Sequence, residues 1–537
     1  MGQAIHIFKK DVRHLRFEIA IAIAVAGLFA FIETKHALWP VDAVYSDTPA
    51  SYLALLLLPV AWWMLIGRAV HDEALPGDRQ FWITRPYSWR SLLSAKLLFV
   101  LAFVNLPMLI AQMVIVHAYG FSIGAELTGL LWNQVLLTIV FVLPVLAISA
   151  LTTGFAQLIA GMLTPCVIAL ALASLKFKYQ FFLFGITSVF VSGPGWVWSY
   201  LVFLIIAIAA PAILFWQYRR RGTTAARCFA GTAWILVAMV FYLISWNTTY
   251  KIDSALFPTR VDLSAARIVS DLAGKKPRMS FRQGGDDVRL NVPFQLTGLP
   301  SGATARVEYL SASFQAPDGT TWSADGFTWE NPDGPDQQFS FGSGFNGGRY
   351  LTSNDVPVKV HGTLYFAVFG NARTTTVPFG DHFVPVEQVG LCSATESFIE
   401  SSEHRKYLLI CNSAFRSPTG LVSYRFVQSD QDITSKDNFR PLVQQRQILF
   451  TGSYSTADNF RPFIQQRQLS LSPFPAEVRI SPVSQEYTSY NDLRTWNQVA
   501  IQTLEPLGHI RLDFDVDLGR ATMYGSNNNE KIRPGSN

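Results

Sequence analysis

The sequence predicts a polytopic α-helical membrane domain of about seven transmembrane helices, followed by an all-β, sandwich-like soluble domain. Three observations predict it. Seven apolar segments, at about 19–32, 52–67, 97–116, 130–150, 155–175, 197–216 and 229–246, contain no Asp, Glu, Lys or Arg. The charge then changes character near residue 247, since residues 1–248 hold only 16 of the 43 Lys+Arg and 9 of the 38 Asp+Glu. Beyond residue 280 the hydrophobic period falls from helical spacing to two.

A charge at the centre of a bilayer costs ~2.5–3.5 kcal/mol on insertion scales, so its absence from all seven segments is informative. Most approach the ~20 residues needed to cross about 30 Å of hydrocarbon, and the first is the weakest because Glu18 and Glu33 bracket it. That segment follows a basic tail, as a signal peptide would, but its "AVA" at Ala24–Ala26 falls inside the apolar run, so an uncleaved first helix is expected. The piece "FFLFGITSVFVS" at Phe181–Ser192 is apolar but too short for a span, and reads as interfacial or re-entrant.

Orientation follows from the basic residues. With the N-terminus cytoplasmic, 13 of the 16 fall in inside loops, leaving Lys35, Lys176 and Lys178 outside. Seven spans then place the C-terminal half outside the cytoplasm, so a multi-pass membrane protein with a cytoplasmic N-terminus is expected. The net charge of +5 belongs to the hydrophobic half and forms no basic face for nucleic acid.

The expected division is a membrane domain at 1–246 with a cytoplasmic loop at 68–96, a connector at 247–280, and an extracytoplasmic β-rich domain at 281–537, of one or two sandwich units. In the connector, Ser264 as N-cap and "AARIVSDLA" to Gly274 predict a short helix. "VRLNVPFQL" places Val288, Leu290, Val292, Phe294 and Leu296 on one face of a strand, and "HIRLDFDVDL" does the same with Ile510, Leu512, Phe514, Val516 and Leu518. "QAPDGTTW", "NPDGPDQ" and "GSGFNGG" read as turns. "DNFRPLVQQRQILF" at Asp437–Phe450 returns as "DNFRPFIQQRQLSL" at Asp458–Leu471, which suits a duplicated strand pair better than a solenoid.

Of four cysteines, Cys166 and Cys228 lie in apolar spans as small hydrophobes. Cys392 and Cys411 either form a disulfide closing a loop of about 20 residues or stand unpaired on neighbouring strands. "GFSIG" at Gly120–Gly124 lacks the strand-to-helix turn of a nucleophile elbow, and "GSGFNG" at Gly342–Gly347 lacks the helix of a dinucleotide site. No H-E-x-x-H or Cys/His spacing indicates zinc, and no metal site or bound cofactor is expected. The chain has no G-x-x-x-x-G-K-[ST] loop, so any ATP it depends on would be bound by a partner subunit.

Two groups of polar residues stand out in the membrane half. Asn105, Gln112, Asn133, Gln134 and Gln157 lie in or beside apolar segments that also carry prolines, and either hold helices together or line a substrate path. The other group is the loop "DEALPGDRQFWITRPYSWRSLLSAK", where Pro76-Gly77 and Pro86 bound a short amphipathic piece and Ser88 is an expected N-cap. Anionic lipid would repel its acids, which favours a protein partner over a headgroup-level loop.

"IFKKDVRHLRFEI", the loop "HDEALPGDRQFWITRPYSWRSLLSAK" and the order of spans resemble bacterial ABC-2 type permeases, the membrane subunits of ABC exporters. The resemblance covers residues 1 to about 220. It implies an amphipathic N-terminal helix along the inner face, a separate ABC ATPase subunit that binds ATP, and a homodimer or a heterodimer with a second permease in membrane lipid. Carried over by position, Asp72, Glu73, Asp78, Arg79, Trp82, Arg85 and Pro86 become the coupling segment that touches the ATPase. The seventh span and the β half depart from the six-span pattern, so no substrate is implied. A second reading is a membrane-anchored extracytoplasmic binding or sensory protein whose β domain carries the function, although seven spans exceed what anchoring needs. An intramembrane enzyme has least support, because no span carries paired acids or a His/Cys set.

Overall fold

The computed structural model describes residues 2–38, 49–72, 88–161, 163–164, 196–269, 278–281, 287–315, 321–326, 338–346, 359–380, 382–387, 389–399, 404–414, 421–427, 440–441, 480–489, 497–517 and 522–524. A helical bundle occupies the first part and a separate β-sheet region the second.

The helices are α1 (Gly2–His14), α2 (Arg16–Leu38), α3 (Pro49–His71), α4 (Trp89–Ala118), α5 (Ile123–Leu151), α6 (Trp196–Arg220), α7 (Thr223–Leu243) and α8 (Trp246–Leu256). Five contain stretches long and apolar enough to cross a membrane: Arg16–Lys35, Trp89–Ala118, Ile123–Leu151, Tyr200–Arg220 and Thr223–Val240. Leu57–His71 within α3 is a shorter apolar stretch. By length and composition the chain is a membrane protein. The fifth predicted segment is helical over 155–161 and at 163–164, and its remainder lies outside the described residues, as does all of Phe181–Ser192.

The bundle core gathers Trp62, Leu65, Phe99, Val104, Met108, Leu137 and Val145, while Phe17, Leu204, Ile235 and Leu243 stand outward. Large apolar side chains facing away from a packed core suit a lipid surround. Both α4 and α5 are interrupted by one π-helical turn, Leu101–Asn105 and Thr138–Val142, each just ahead of a proline, Pro107 and Pro144. A helical proline collides with the carbonyl four residues back. Those carbonyls belong to Phe103 and Val140, inside the two widened turns, which is how both helices carry proline without a break.

The two ends of the bundle can be told apart. Arg227 donates from Nε and Nη2 to the Leu151 carbonyl (3.3 and 2.9 Å) at the start of α7, and Trp198 Nε1 donates to the Ile244 carbonyl (3.2 Å) at its finish. Leu151 and Trp198 therefore lie at opposite ends. The Leu151 end also holds the start of α2, where Arg68 of α3 meets Glu18 at 3.5 Å, and the α6–α7 turn with Arg219, Arg220 and Arg221.

The strands are β1 (Arg267–Val269), β2 (Arg278–Phe281), β3 (Asp287–Thr297), β4 (Thr304–Gln315), β5 (Thr321–Gly326), β6 (Gln338–Asn346), β7 (Lys359–Pro378), β8 (Val384–Val386), β9 (Gly390–Ile399), β10 (His404–Ala414), β11 (Leu421–Val427), β12 (Arg440–Pro441), β13 (Ile480–Ser489), β14 (Gln498–Asp517) and β15 (Thr522–Tyr524). They form a six-stranded sheet β12-β11-β14-β7-β4-β5, a five-stranded sheet β1-β3-β2-β15 with β6 also on β3, and a four-stranded sheet β13-β10-β9-β8. The six-stranded sheet serves two cores. Toward one end of β7 and β14, Val360, Leu364, Phe366 and Phe514 pack with Phe294 and Leu296 of β3. Toward the other, Val377, Val499 and Ile501 pack with Val386, Cys392 and Leu409 from the four-stranded sheet. Two sandwich-like units thus share one continuous sheet.

The period-two reading of Ile510, Leu512, Phe514 and Val516 fits, since all four pack in the first core. The connector helix does not. The chain turns at 264–265 and then forms β1, paired to β3 at Leu296. Gly298, at φ +77°, lets the backbone come so close to Ala265 that no Cβ would fit, and this edge pairing overrides the helical propensity of "SAA". The actual connector helix is the more polar α8, capped by Ser245, whose side chain accepts from the Thr248 amide. "GSGFN" is likewise not a loop but the last part of β6, with Gly342 opposite Asn291 and Gly344 opposite Arg289. Phe339, Phe341 and Phe345 alternate there, a signal that the glycines obscured.

Candidate functional site: the loop stems and the polar seam

Of the expected coupling residues, Glu73, Asp78, Arg79, Trp82, Arg85 and Pro86 lie outside the described residues. Asp72 closes the last turn of α3, and Ser88 caps α4 as expected, its side chain accepting from the Ser91 amide at 3.1 Å. Helix occupies both ends of the stretch 68–96, so the two stems are where its geometry can be read.

Both stems are fastened to the N-terminal helix. On the α3 stem, His14 Nε2 meets Asp72 Oδ2 at 3.2 Å, and Arg68 reaches Glu18 in the first turn of α2. On the α4 stem, the Ser91 hydroxyl donates to Gln3 Oε1 at 3.3 Å, and Lys96 Nζ donates to Asp11 Oδ2 at 2.7 Å. The Lys96 and Asp11 side chains are only 2% and 5% exposed. The outer pairs are exposed and each contributes little, ~0–1 kcal/mol. The Lys96–Asp11 pair differs, because removing one partner from a buried pair leaves an uncompensated charge at ~3–5 kcal/mol. Trp89 adds an edge contact to Phe215 of α6, 5.5 Å between ring centres.

By sequence alone Lys96 belongs to the loop's basic residues, and Asp11 has no evident role. Lys96 instead lies about two turns inside α4. The signal was present: Ile7, Asp11 and Leu15 recur every four residues, and all three are buried. An acid in the apolar stripe of a helix needs a cation opposite it.

The five polar residues expected in or beside the apolar segments divide three ways. Asn105 Nδ2 donates to Gln134 Oε1 (3.2 Å) and Thr138 Oγ1 (2.9 Å), and Gln134 Nε2 donates to Gln112 Oε1 (2.8 Å). Thr138 Oγ1 in turn donates to the Gln134 carbonyl at 2.8 Å. This seam joins α4 to α5 between the two π turns. Asn133 is buried elsewhere, and its Nδ2 has no hydrogen-bond partner among the described residues. Gln157 instead accepts from the amide and hydroxyl of Thr153 (3.1 and 2.9 Å), capping the helix at 155–161.

Cys392 and Cys411 face each other across the β9–β10 ladder and are joined by a disulfide in the core of the second sandwich. Cys228 on α7 is free and exposed, and Cys166 lies outside the described residues. Among the described residues no group of three or more His, Cys, Asp or Glu is arranged to hold a metal ion.

No protein-family model matches the chain, and no curated protein matches its sequence.

Proposed function

We propose that the chain is the membrane-spanning permease subunit of an ATP-driven ABC-2 type exporter, coupled to a separate ATPase through the segment between α3 and α4. The observation that carries this reading is the bracing of both loop stems by one amphipathic helix. A push on residues 73–87 would reach α3, α4 and α1 together, because Asp72, Ser91 and Lys96 are all tied to Gln3–His14. A loop that merely rested among headgroups would not need a buried ion pair behind it.

In this reading the arginine-rich end of the bundle faces the cytoplasm of a bacterial inner membrane, and the β region lies outside. Seven spans complete the bundle, with the fifth predicted segment supplying the crossing between Leu151 and Trp198. Two such chains, or one with a second permease, would flank the path, and ATP would bind only to the partner subunit. The α4–α5 seam then serves as interhelical glue that the working cycle loosens, with the π turns as its flexible points.

The test is purification of tagged protein in mild detergent from its own host, with identification of what accompanies it. An ATPase that co-purifies, and is lost when residues 78–86 are scrambled, supports the proposal. Repeated absence of any ATPase, with the β region folded, favours the membrane-anchored binding or sensory protein instead.

A further inference from the structure

The seam between the helices and the β region is built from groups that the permease reading does not use. Helix α8 follows α7 almost directly and lays one face on β4, β7 and β14. Trp246 stacks on Tyr309 (4.4 Å between ring centres), Tyr250 meets Tyr365 edge-on (4.7 Å), and Trp198 of α6 packs on Trp246 (5.4 Å). At the rim, Asn247 Oδ1 accepts from the Tyr365 hydroxyl and from Arg511, both at 3.3 Å.

Beneath these rings lies a buried acid–imidazole–acid chain. His509 Nε2 stands 3.0 Å from Asp253 Oδ2 of α8, and its Nδ1 stands 3.3 Å from Glu308 Oε2 of β4. The three side chains are 7%, 4% and 1% exposed in that order. Both sheet residues owe their direction to irregular pairing. The register of β14 on β7 shifts between Pro506 and Gly508, next to His509, and that of β4 shifts between Val307 and Tyr309, at Glu308. A bulge re-aims a side chain at the cost of ladder bonds, and two of them converge on one residue of α8. The chain beyond α8 is pinned to the same place. The Arg260 amide donates to the Leu507 carbonyl at 2.7 Å, and Thr259 sits so close to Gly508 (φ +153°) that a Cβ there would stand 2.6 Å from its methyl group.

We propose that Asp253, His509 and Glu308 form a latch that joins α8 to the β region as one rigid body, with His509 as its positioning residue. A displacement of the β region is thereby delivered to the outer ends of α6 and α7, and movement of those helices is delivered to the β region. Such coupling is reciprocal in free energy. A buried charged chain adds little net stability over an apolar core, but it fixes one relative placement of its elements. The electrostatics fit a charged imidazole donating on both sides. Burial alone would lower its pKa, but the Glu308 and Asp253 carboxylates override that and hold it at about 10. The latch stands independently of whether an ATPase drives the helices.

The test uses the full chain in lipid nanodiscs without nucleotide, with Cys166 and Cys228 replaced by Ser. Spin labels at Thr232 on α7 and Ala372 on the β region report the distance between the two parts, and a pair at Lys359 and Ala372 reports the integrity of β7. One narrow Thr232–Ala372 distribution is expected with the latch intact. His509→Ala should broaden and shift it while leaving the Lys359–Ala372 distribution unchanged. If His509→Ala also disturbs the β7 pair, Asp253→Ala decides, because it lies outside the sheet and should broaden only the Thr232–Ala372 distance. A wild-type distribution that is already broad, or a deciding variant as narrow and centred as wild type, overturns the latch.

Discussion

Replacing Asp11 by Ala removes the carboxylate that meets the buried Lys96 ammonium. At 2.7 Å, and an effective dielectric constant of about 20, the gross attraction is about 6 kcal/mol, most of it offset by the cost of taking both charges out of water. Losing one partner removes the attraction but keeps the desolvation of the other, so Asp11→Ala or Lys96→Met should each cost ~3–5 kcal/mol. For a helical part of this size that corresponds to roughly 6–20 °C in the apparent melting temperature. The double variant Asp11→Leu with Lys96→Met removes both charges and should recover most of the loss. The assay is a double-mutant cycle on heat-induced loss of the monodisperse peak in detergent size-exclusion chromatography. Single variants within 2 °C of wild type, or a double variant whose loss is the sum of the singles, would refute the reasoning. If the stems carry force as proposed, Asp11→Ala should also weaken ATPase co-purification, whereas the double variant should retain more of it.

Three further outcomes are expected. Cys392→Ser with Cys411→Ser opens a loop of 19 residues, and should destabilise the second sandwich by ~3 kcal/mol in the loop-entropy model, read as an earlier urea midpoint that matches reduced wild type. Asn105→Leu leaves Gln134 and Thr138 with an apolar neighbour and should cost ~0.6–1.7 kcal/mol by the same chromatographic assay; a cost above that range would mean the seam does more than hold α4 to α5. The latch should be lost under alkaline conditions. The His509 pKa is raised from 6.5 to about 10, so its contribution is full below 6.5 and disappears as pH rises through about 10. Burial, partly countered by His509, raises Glu308 above 4.5, and burial raises Tyr250 above 10, so each also loses stability as pH rises, Tyr250 only beyond the His509 window. The melting temperature should fall across that window, more steeply in wild type than in His509→Ala, and equal slopes would count against it.

The helices were legible because hydrocarbon excludes charge, so their signal is local and repeated. The shared face of Ile510, Leu512, Phe514 and Val516 was legible because a half-buried strand must alternate, and Ser88 because a helix start needs an acceptor at one position. Helix α8 was not legible. "WNTTYKIDSAL" has too little apolar stripe to announce itself, and its buried Trp246, Tyr250 and Asp253 meet rings and an imidazole from far along the chain. The latch was hidden for the same reason: Asp253, Glu308 and His509 are distant in sequence, and only two register shifts bring them together. The helix expected from Ser264 shows local propensity losing to a strand edge at 267–269. The Lys96–Asp11 pair lay between these cases, since Asp11 was out of place in its stripe but nothing local named its partner.

The sheet shared by the two sandwiches has a mechanical consequence. A strand of 20 residues extends about 66 Å at 3.3 Å per residue, and β7 and β14 both run that length through two cores without a linker. Among the described residues the β region touches the bundle at two separated places. One is α8, beyond the last span. The other is the α4–α5 turn, where Leu391 at the start of β9 lies against Gly120, 3.6 Å from where a Cβ would stand. A stiff beam resting on two supports closes a loop with the helices beneath it. In such a closed linkage the ends of α4 and α5 nearest the β region cannot spread from those of α6 and α7 unless the beam tilts or lifts from one support. The outward opening of the bundle would then be limited by how far two sandwiches held on one sheet can bend.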